Sequence, residues 1–211
     1  MLAAKFRLIG GGLTGELFRS IDWASHPLGP TQDWPIALLT SLQMLFHTQH
    51  PMFIWWGPEL YQFYNDAYLP SFGRGKHPEA FGQRGEDCWP EIWSTIKPQI
   101  DLVMHEGGST WHENQLLPIH RDGRLDDVYW SYGYSPIFDL DGRVAGTLVL
   151  CRETTEGVQL DAQLATEGQK LKAMIEQVPE RFAFVRGSGI EFERVSRKGT
   201  DRGGQRKYRG R

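Results

Sequence analysis

Apolar positions along the chain change period four times. From Trp34-Pro35, residues Ile36, Leu39, Leu42, Leu45 and Phe46 recur at three- and four-residue steps, predicting a buried helix that His50-Pro51 ends. Met52–Trp56 is a continuous apolar run rich in aromatics and predicts a strand, Gly57-Pro58-Glu59 a turn, and Leu60–Tyr64 a second strand. Asn65 then stands where a side-chain oxygen can accept from the first free amides of a helix beginning Asp66-Ala67-Tyr68. After a glycine-bearing stretch, Trp89-Pro90 opens a second helical pattern through Ile92, Trp93, Ile96, Ile100, Val103 and Met104 up to Gly107-Gly108. Pro98 inside it predicts a kink or two joined helices.

Three strand patterns follow, Thr110–His120, Asp127–Phe138 and Arg143–Arg152. Their connections carry Asp122-Gly123 and Asp141-Gly142, pairs suited to the positive φ of tight turns. Two strands, a helical block and a three-strand meander predict an α+β fold with a five-stranded antiparallel sheet and flanking helices. Val158 to Val178 is helical again, with Leu164, Leu171 and Val178 seven apart and Leu160 and Met174 between them. Glu167 and Gly168 interrupt that stripe, so a short coiled coil and an ordinary amphipathic helix both fit.

At 211 residues the chain is long enough for one or two globular domains, and all eight Trp fall between Trp23 and Trp130, which places the core in the first three quarters. Charge is divided unevenly. Residues 1–193 carry 15 Lys and Arg against 25 Asp and Glu, a net −10, whereas 194–211 carry eight against Asp201 alone, a net +7. An acidic body disfavours nucleic acid as a specific partner. Two cysteines, Cys88 and Cys151, exclude a disulfide-stapled secreted scaffold and favour a reducing, cytoplasmic compartment. Trp34 to Pro58 has no Asp, Glu, Lys or Arg, but Thr, Gln and His interrupt it and Pro51 breaks it, so it reads as helix and strand rather than a membrane span.

Motifs for chemistry are weak. Gly10-x-Gly12-x-x-Gly15 matches a dinucleotide-binding fingerprint with Asp33 about 20 residues on. Its context does not: the preceding run carries Lys5 and Arg7, and no second parallel strand delivers Asp33. A nucleotide-dependent oxidoreductase built on that leader would need a parallel sheet. His47 and His50 lack the partners of a closed zinc site. No catalytic set and no metal site is expected.

The ordered phrases Asp22-Trp23, Pro27-Leu28-Gly29-Pro30, Trp34-Pro35, Pro51-Met52-Phe53, Trp56-Gly57-Pro58-Glu59-Leu60, Tyr64-Asn65-Asp66-Ala67-Tyr68, Gly75-Lys76-His77-Pro78, Trp89-Pro90-Glu91-Ile92-Trp93 and Tyr134-Ser135-Pro136-Ile137 resemble a PAS domain of bacterial sensor histidine kinases and related signalling proteins. The resemblance covers about residues 12–157. It implies a leader at 1–34, a PAS sensory domain at 35–157 with its preceding helix at 35–49, and a signalling helix at 158–178. At 179–211 it implies the start of a second, truncated or frame-shifted PAS domain with a basic tail. The second domain is suggested by Met174-Ile175-Glu176-Gln177-Val178-Pro179.

The function implied is that of a non-enzymatic sensory module that binds a small ligand or partner, acts as a homodimer, and serves a kinase output domain. A ligand-free dimerisation module is the alternative. The aromatic set Trp55, Trp56, Tyr64, Tyr68, Trp89, Trp93, Trp111, Trp130, Tyr132 and Tyr134 either fills the core or lines a ligand cavity. Candidate cavity residues are Trp56, Tyr64, Asn65, Tyr68, Trp89, Trp93, His105, Trp111 and Tyr132. Glu153, Thr154 and Thr155 look like the junction that hands the signal to the helix. The cofactor is open: His105 would be the axial ligand if haem bound, and Cys88 lacks the setting of a photoreactive flavin cysteine.

Overall fold

The computed structural model describes residues 7–177, 183–186 and 189–192. Two compact units divide the chain, residues 1–160 and 161–211. The first contains helices α1 (Gly12–Ser20), α2 (Ile36–His47), α3 (Gly85–Cys88) and α4 (Trp93–Glu106), and strands β1 (Met52–Trp56), β2 (Tyr61–Tyr64), β3 (Thr110–Arg121), β4 (Arg124–Phe138) and β5 (Val144–Glu153). The strands form one antiparallel sheet in the order β2-β1-β5-β4-β3. This is the α+β architecture expected from the sequence.

All five residues of β1 are buried, because both faces of the sheet are covered there. On one face α1 supplies Phe18, α2 supplies Phe46, and the segment just before α2 supplies Trp34. With Trp23 and Phe63 these rings form an edge-to-face cluster, Trp23 and Trp34 lying 4.9 Å apart and Trp34 and Phe63 5.8 Å apart. Such pairs add about 0.5–1.5 kcal/mol each beyond the area they bury. On the other face lie α3, α4 and the 3-10 turn Asp66–Phe72, with Ile96, Ile100 and Val103 of α4 buried.

Local structure departs from expectation at several places. Asn65 caps no helix; its Oδ1 accepts from the Met52 amide (3.2 Å) while its Nδ2 donates to the Thr48 and His50 carbonyls (2.8 Å each), tying the end of α2 to the start of β1. The segment after it is 3-10 rather than α, with Pro70 inside it, where a proline cannot donate the amide an α-helix requires. Pro98, conversely, sits within a single continuous helix, α4.

The free side of β2 is covered by its own chain: Gln62 N donates to Gln83 O (2.8 Å), Gly82 N to Gln62 O (2.7 Å) and Gly85 N to Leu60 O (2.9 Å). These bonds satisfy an edge that would otherwise invite another strand.

Helix α5 (Thr155–Gln177) begins directly after β5, three residues before the helical pattern was expected to start, and leaves Leu160, Leu164, Leu171 and Met174 exposed. In the second unit β6 (Ala183–Arg186) and β7 (Gly189–Phe192) pair with one another as an antiparallel two-stranded sheet. The basic segment 194–211 lies outside the described residues. No helix among the described residues is long and apolar enough to cross a membrane.

Candidate functional site

Alternation along the strands points one set of side chains at α3 and α4. Phe53 and Trp55 of β1, Leu117 and Ile119 of β3, Trp130, Tyr132 and Tyr134 of β4, and Val149 and Cys151 of β5 form the floor of a cavity; Tyr68, Trp89, Ile92 and Ile96 roof it. Its volume is about 40 Å³. One water occupies about 30 Å³ in the liquid, whereas sites for drug-sized ligands run to about 300–1,000 Å³. The space is therefore too small for a metabolite of ordinary size in this packing. Among the described residues no charged side chain lines it.

Buried polar groups set the shape of this core. Gln62 of β2 is fully buried, and its Oε1 accepts from both Trp55 Nε1 (3.2 Å) and Trp89 Nε1 (2.7 Å), so one amide holds a floor indole and a roof indole together. Its Nε2 reaches Cys88 Sγ at 3.6 Å. Phe72 stacks on Trp89 at 5.6 Å, and Lys76 Nζ sits 3.9 Å over the same indole. Lys76 also donates to Glu91 Oε1 (2.7 Å) and the Cys88 carbonyl (2.8 Å), and Glu91 Oε1 accepts from the His120 amide (2.7 Å). This pair pins the roof to β3. Burial alone would raise the Glu91 carboxyl, but the bonds from Lys76 and His120 outweigh it and hold it below the ordinary range.

At the far end the Tyr132 hydroxyl lies 2.8 Å from Gln99 Oε1 and 2.5 Å from Gln115 Oε1. A hydroxyl has one proton, so one of these amides must present its nitrogen instead. His112 stacks on Tyr132 at 5.0 Å, and desolvation lowers its pKa, favouring the neutral ring. Burial pushes the phenols of Tyr68 and Tyr134 well above their usual range.

Burial also raises both thiols, Cys88 to about 11 against the lowering influence of Lys76 and Gln62, and Cys151 further. Both should resist a thiol reagent at pH 8 while folded and react as two thiols per chain once unfolded in urea. Native-state labelling of either would contradict their burial. Because the folded values are raised, the neutral thiols favour the native state at pH below the ordinary thiol range, and that contribution fades as pH climbs toward 11.

A second set of contacts fixes the exit of β5. Glu153, its last residue, accepts Arg121 Nη1 at 2.9 Å and Nη2 at 3.2 Å, and Arg121 Nε bonds Asp126 Oδ2 at 3.0 Å. Thr154 N donates to Tyr129 O (2.8 Å); Thr155 Oγ1 accepts from Tyr129 N (3.0 Å) and donates to Glu153 Oε1 (3.0 Å). The first turn of α5 is thereby registered on the β3–β4 hairpin through both side chains and backbone. The bonds that Arg121 donates to Glu153 raise its already high pKa, so the guanidinium is permanently charged.

Residues 56–159 match the family described as PAS fold. This part of the chain is a PAS domain. It is a sensory fold found in histidine kinases and other signalling proteins. Similar solved structures include a sensory box sensor histidine kinase from Vibrio cholerae (17% identity, TM-score 0.41, covering 55% of this chain and 89% of that one). Others are the PAS domain of a protein from Colwellia psychrerythraea (17%, 0.42, 56% and 98%) and the PAS domain of BvgS from Bordetella pertussis (17%, 0.39, 63% and 97%). No curated protein sequence matches the chain significantly.

Within the PAS domain, Tyr68, Trp89 and Tyr132 of the expected set meet at the cavity. The others lie elsewhere. Trp56 is turned away from it by the alternation of β1, and Tyr64 packs against Phe72 and Phe81 with its hydroxyl on His77 Nδ1 (3.0 Å). Asn65 serves the α2–β1 connection, and Trp93 stands edge-on to Trp55 at 6.2 Å outside the lining. Trp111 is exposed on the outer face of β3, across Gly133, where a Cβ would meet its ring at 3.1 Å. His105 is exposed at the end of α4, its Nδ1 on the Asp101 carbonyl.

A haem therefore does not fit: the cavity lacks the volume and His105 lies outside it. The oxidoreductase alternative needed a parallel sheet, and the sheet is antiparallel throughout. Sequence reasoning left out Gln62, Phe53, Ile92, Ile96 and Val149, and the clamp residue Arg121. The four-residue step from Ile92 to Ile96 and the two-residue steps Leu117 to Ile119 and Val149 to Cys151 were the available signals.

Proposed function

We propose that this chain is a non-catalytic, cytoplasmic regulatory module in which altered packing of the aromatic core is delivered through the Glu153–Thr155 junction to α5 and from there to a kinase-type output domain. The observation that carries this reading is the clamp: a bidentate Arg121–Glu153 pair and three hydrogen bonds in which Tyr129 and Thr155 take part fasten the start of the helix to the sheet that floors the cavity. Two arrangements of that sheet against its helices would present α5 in two registers, and whatever favours one arrangement shifts the population. The exposed stripe of Leu160, Leu164, Leu171 and Met174 supports a second copy of the chain as the partner of α5.

Arg121→Ala tests the junction. Amide exchange at Tyr129, Thr154 and Val158 is expected to accelerate at least ~10-fold while the amides of β1 keep their protection, as befits a local opening. Unaltered exchange at those three amides would sink the reading.

A small ligand as the input is the second reading, favoured by the three phenols of Tyr68, Tyr132 and Tyr134 around an uncharged space. Native mass spectrometry of the protein purified from its host checks it, a co-purifying molecule being the expected sign.

A further inference from the structure

The glycine cluster of the leader has a structural use other than phosphate binding. Gly10, Gly11 and Gly12 all adopt left-handed φ (74°, 87° and 52°), and α1 starts at the third with no side chain at its N-cap. Its free amides are taken by a carboxylate over 50 residues away. Leu13 N donates to Asp66 Oδ2 (2.9 Å), Thr14 N to Asp66 Oδ1 (2.8 Å), and Thr14 Oγ1 to the same oxygen (2.7 Å). A negative side chain at a helix start also meets the positive end of the dipole. The fit leaves no room for side chains: a Cβ on Gly12 would lie 2.0 Å from Asp66 Oδ2, and one on Gly15 would lie 2.1 Å from the Gly10 carbonyl oxygen. Burial opposes ionisation of Asp66, but the bonds from Thr14 and Leu13 and the nearby His77 outweigh it and hold the carboxyl below its ordinary range.

Asp66 also opens the 3-10 turn that carries Tyr68 two residues on. The Tyr68 ring roofs the cavity, 5.0 Å from both Phe53 and Phe72. Asn65, just before, is bonded on three sides, so displacement of Asp66 cannot be absorbed upstream and passes to Tyr68.

We propose that Asp66 is a latch by which docking of the leader helix and packing of the cavity roof control one another, making the leader a second input to the core. This rests on the reading of the core as the regulated element. Such coupling is reciprocal: whatever undocks α1 loosens the roof, and whatever expands the roof weakens docking of α1.

Two variants of the full chain free α1 from opposite sides. Asp66→Ala removes the acceptor. Phe18→Ala removes the apolar anchor packed on Trp23, Trp34 and Phe46, and it lies on α1 rather than on the turn that carries Asp66 and Tyr68. Each should speed exchange of the Leu13 and Thr14 amides at least ~10-fold and shift the Tyr68 ring resonances, with Val128 and Val149 amides still protected as proof of folding. If one variant fails to fold, the other decides. Faster exchange in Phe18→Ala with Tyr68 unmoved would overturn the coupling, as would unchanged exchange of Leu13 and Thr14 in Asp66→Ala. Neither result bears on the Tyr129, Thr154 and Val158 amides in Arg121→Ala, so failure of the latch and failure of the junction are distinguishable.

Discussion

Gln62→Leu is expected to lower the stability of the PAS domain by about 2–6 kcal/mol, since a buried donor left without an acceptor costs roughly 1–3 kcal/mol and the substitution strands two of them. The glutamine is fully buried and its Oε1 is the acceptor for both Trp55 Nε1 and Trp89 Nε1. Leucine has a similar volume, so the loss isolates the hydrogen bonds from the effect of a cavity. Urea unfolding followed by tryptophan fluorescence measures it: the midpoint should fall while the slope stays constant. A change below about 1 kcal/mol would mean that the two indoles find other acceptors and that Gln62 does not join floor to roof. Trp89 should also loosen from the floor, visible as a shift of its indole N–H resonance.

The second large effect concerns the cavity itself. Ile96→Ala removes three carbons from the roof at a position 2% exposed and should cost about 2–5 kcal/mol, the range for truncating a buried isoleucine or leucine. It also enlarges a space that now measures about 40 Å³. An apolar cavity of about 150 Å³ stays dry and binds benzene. The variant should therefore recover stability as benzene is added, by about 2.7 kcal/mol at a concentration 100 times its dissociation constant. The native domain should show no such recovery. Should neither protein respond, the roof collapses into the vacated volume, and adaptable packing rather than a standing cavity describes this core.

Much of the architecture was legible along the chain because short-range physics sets it. The helix over Ile36–His47 follows from its three- and four-residue apolar steps, and the turn at Asp122-Gly123 from residues that tolerate φ of 53° and 80°. The five strands and their antiparallel hairpins followed from run lengths and short connections, whereas the pairing of β1 with β5 that joins the two groups did not. The junction Glu153-Thr154-Thr155 was placed where β5 ends and α5 begins.

The site was less legible. In β1 every position is buried, so alternation between apolar and polar residues is absent and nothing in the sequence states that Trp55 rather than Trp56 faces the cavity. Trp111 carries the same apolar signal as Trp130 yet is exposed, because β3 is an edge strand whose outer face is covered there by no helix among the described residues. Asn65 and Asp66 illustrate the same divide. The pattern suggested an Asn cap for the following turn, whereas Asn65 bonds back to Thr48, His50 and Met52, and Asp66 caps a helix more than 50 residues earlier.

Periodicity, turn chemistry and proline placement, all local, determined the elements and their order. Which faces meet, which polar group answers a distant amide, and how little space the aromatics leave were decided only by tertiary packing, because those contacts join residues whose separation along the chain carries no trace of their distance in space.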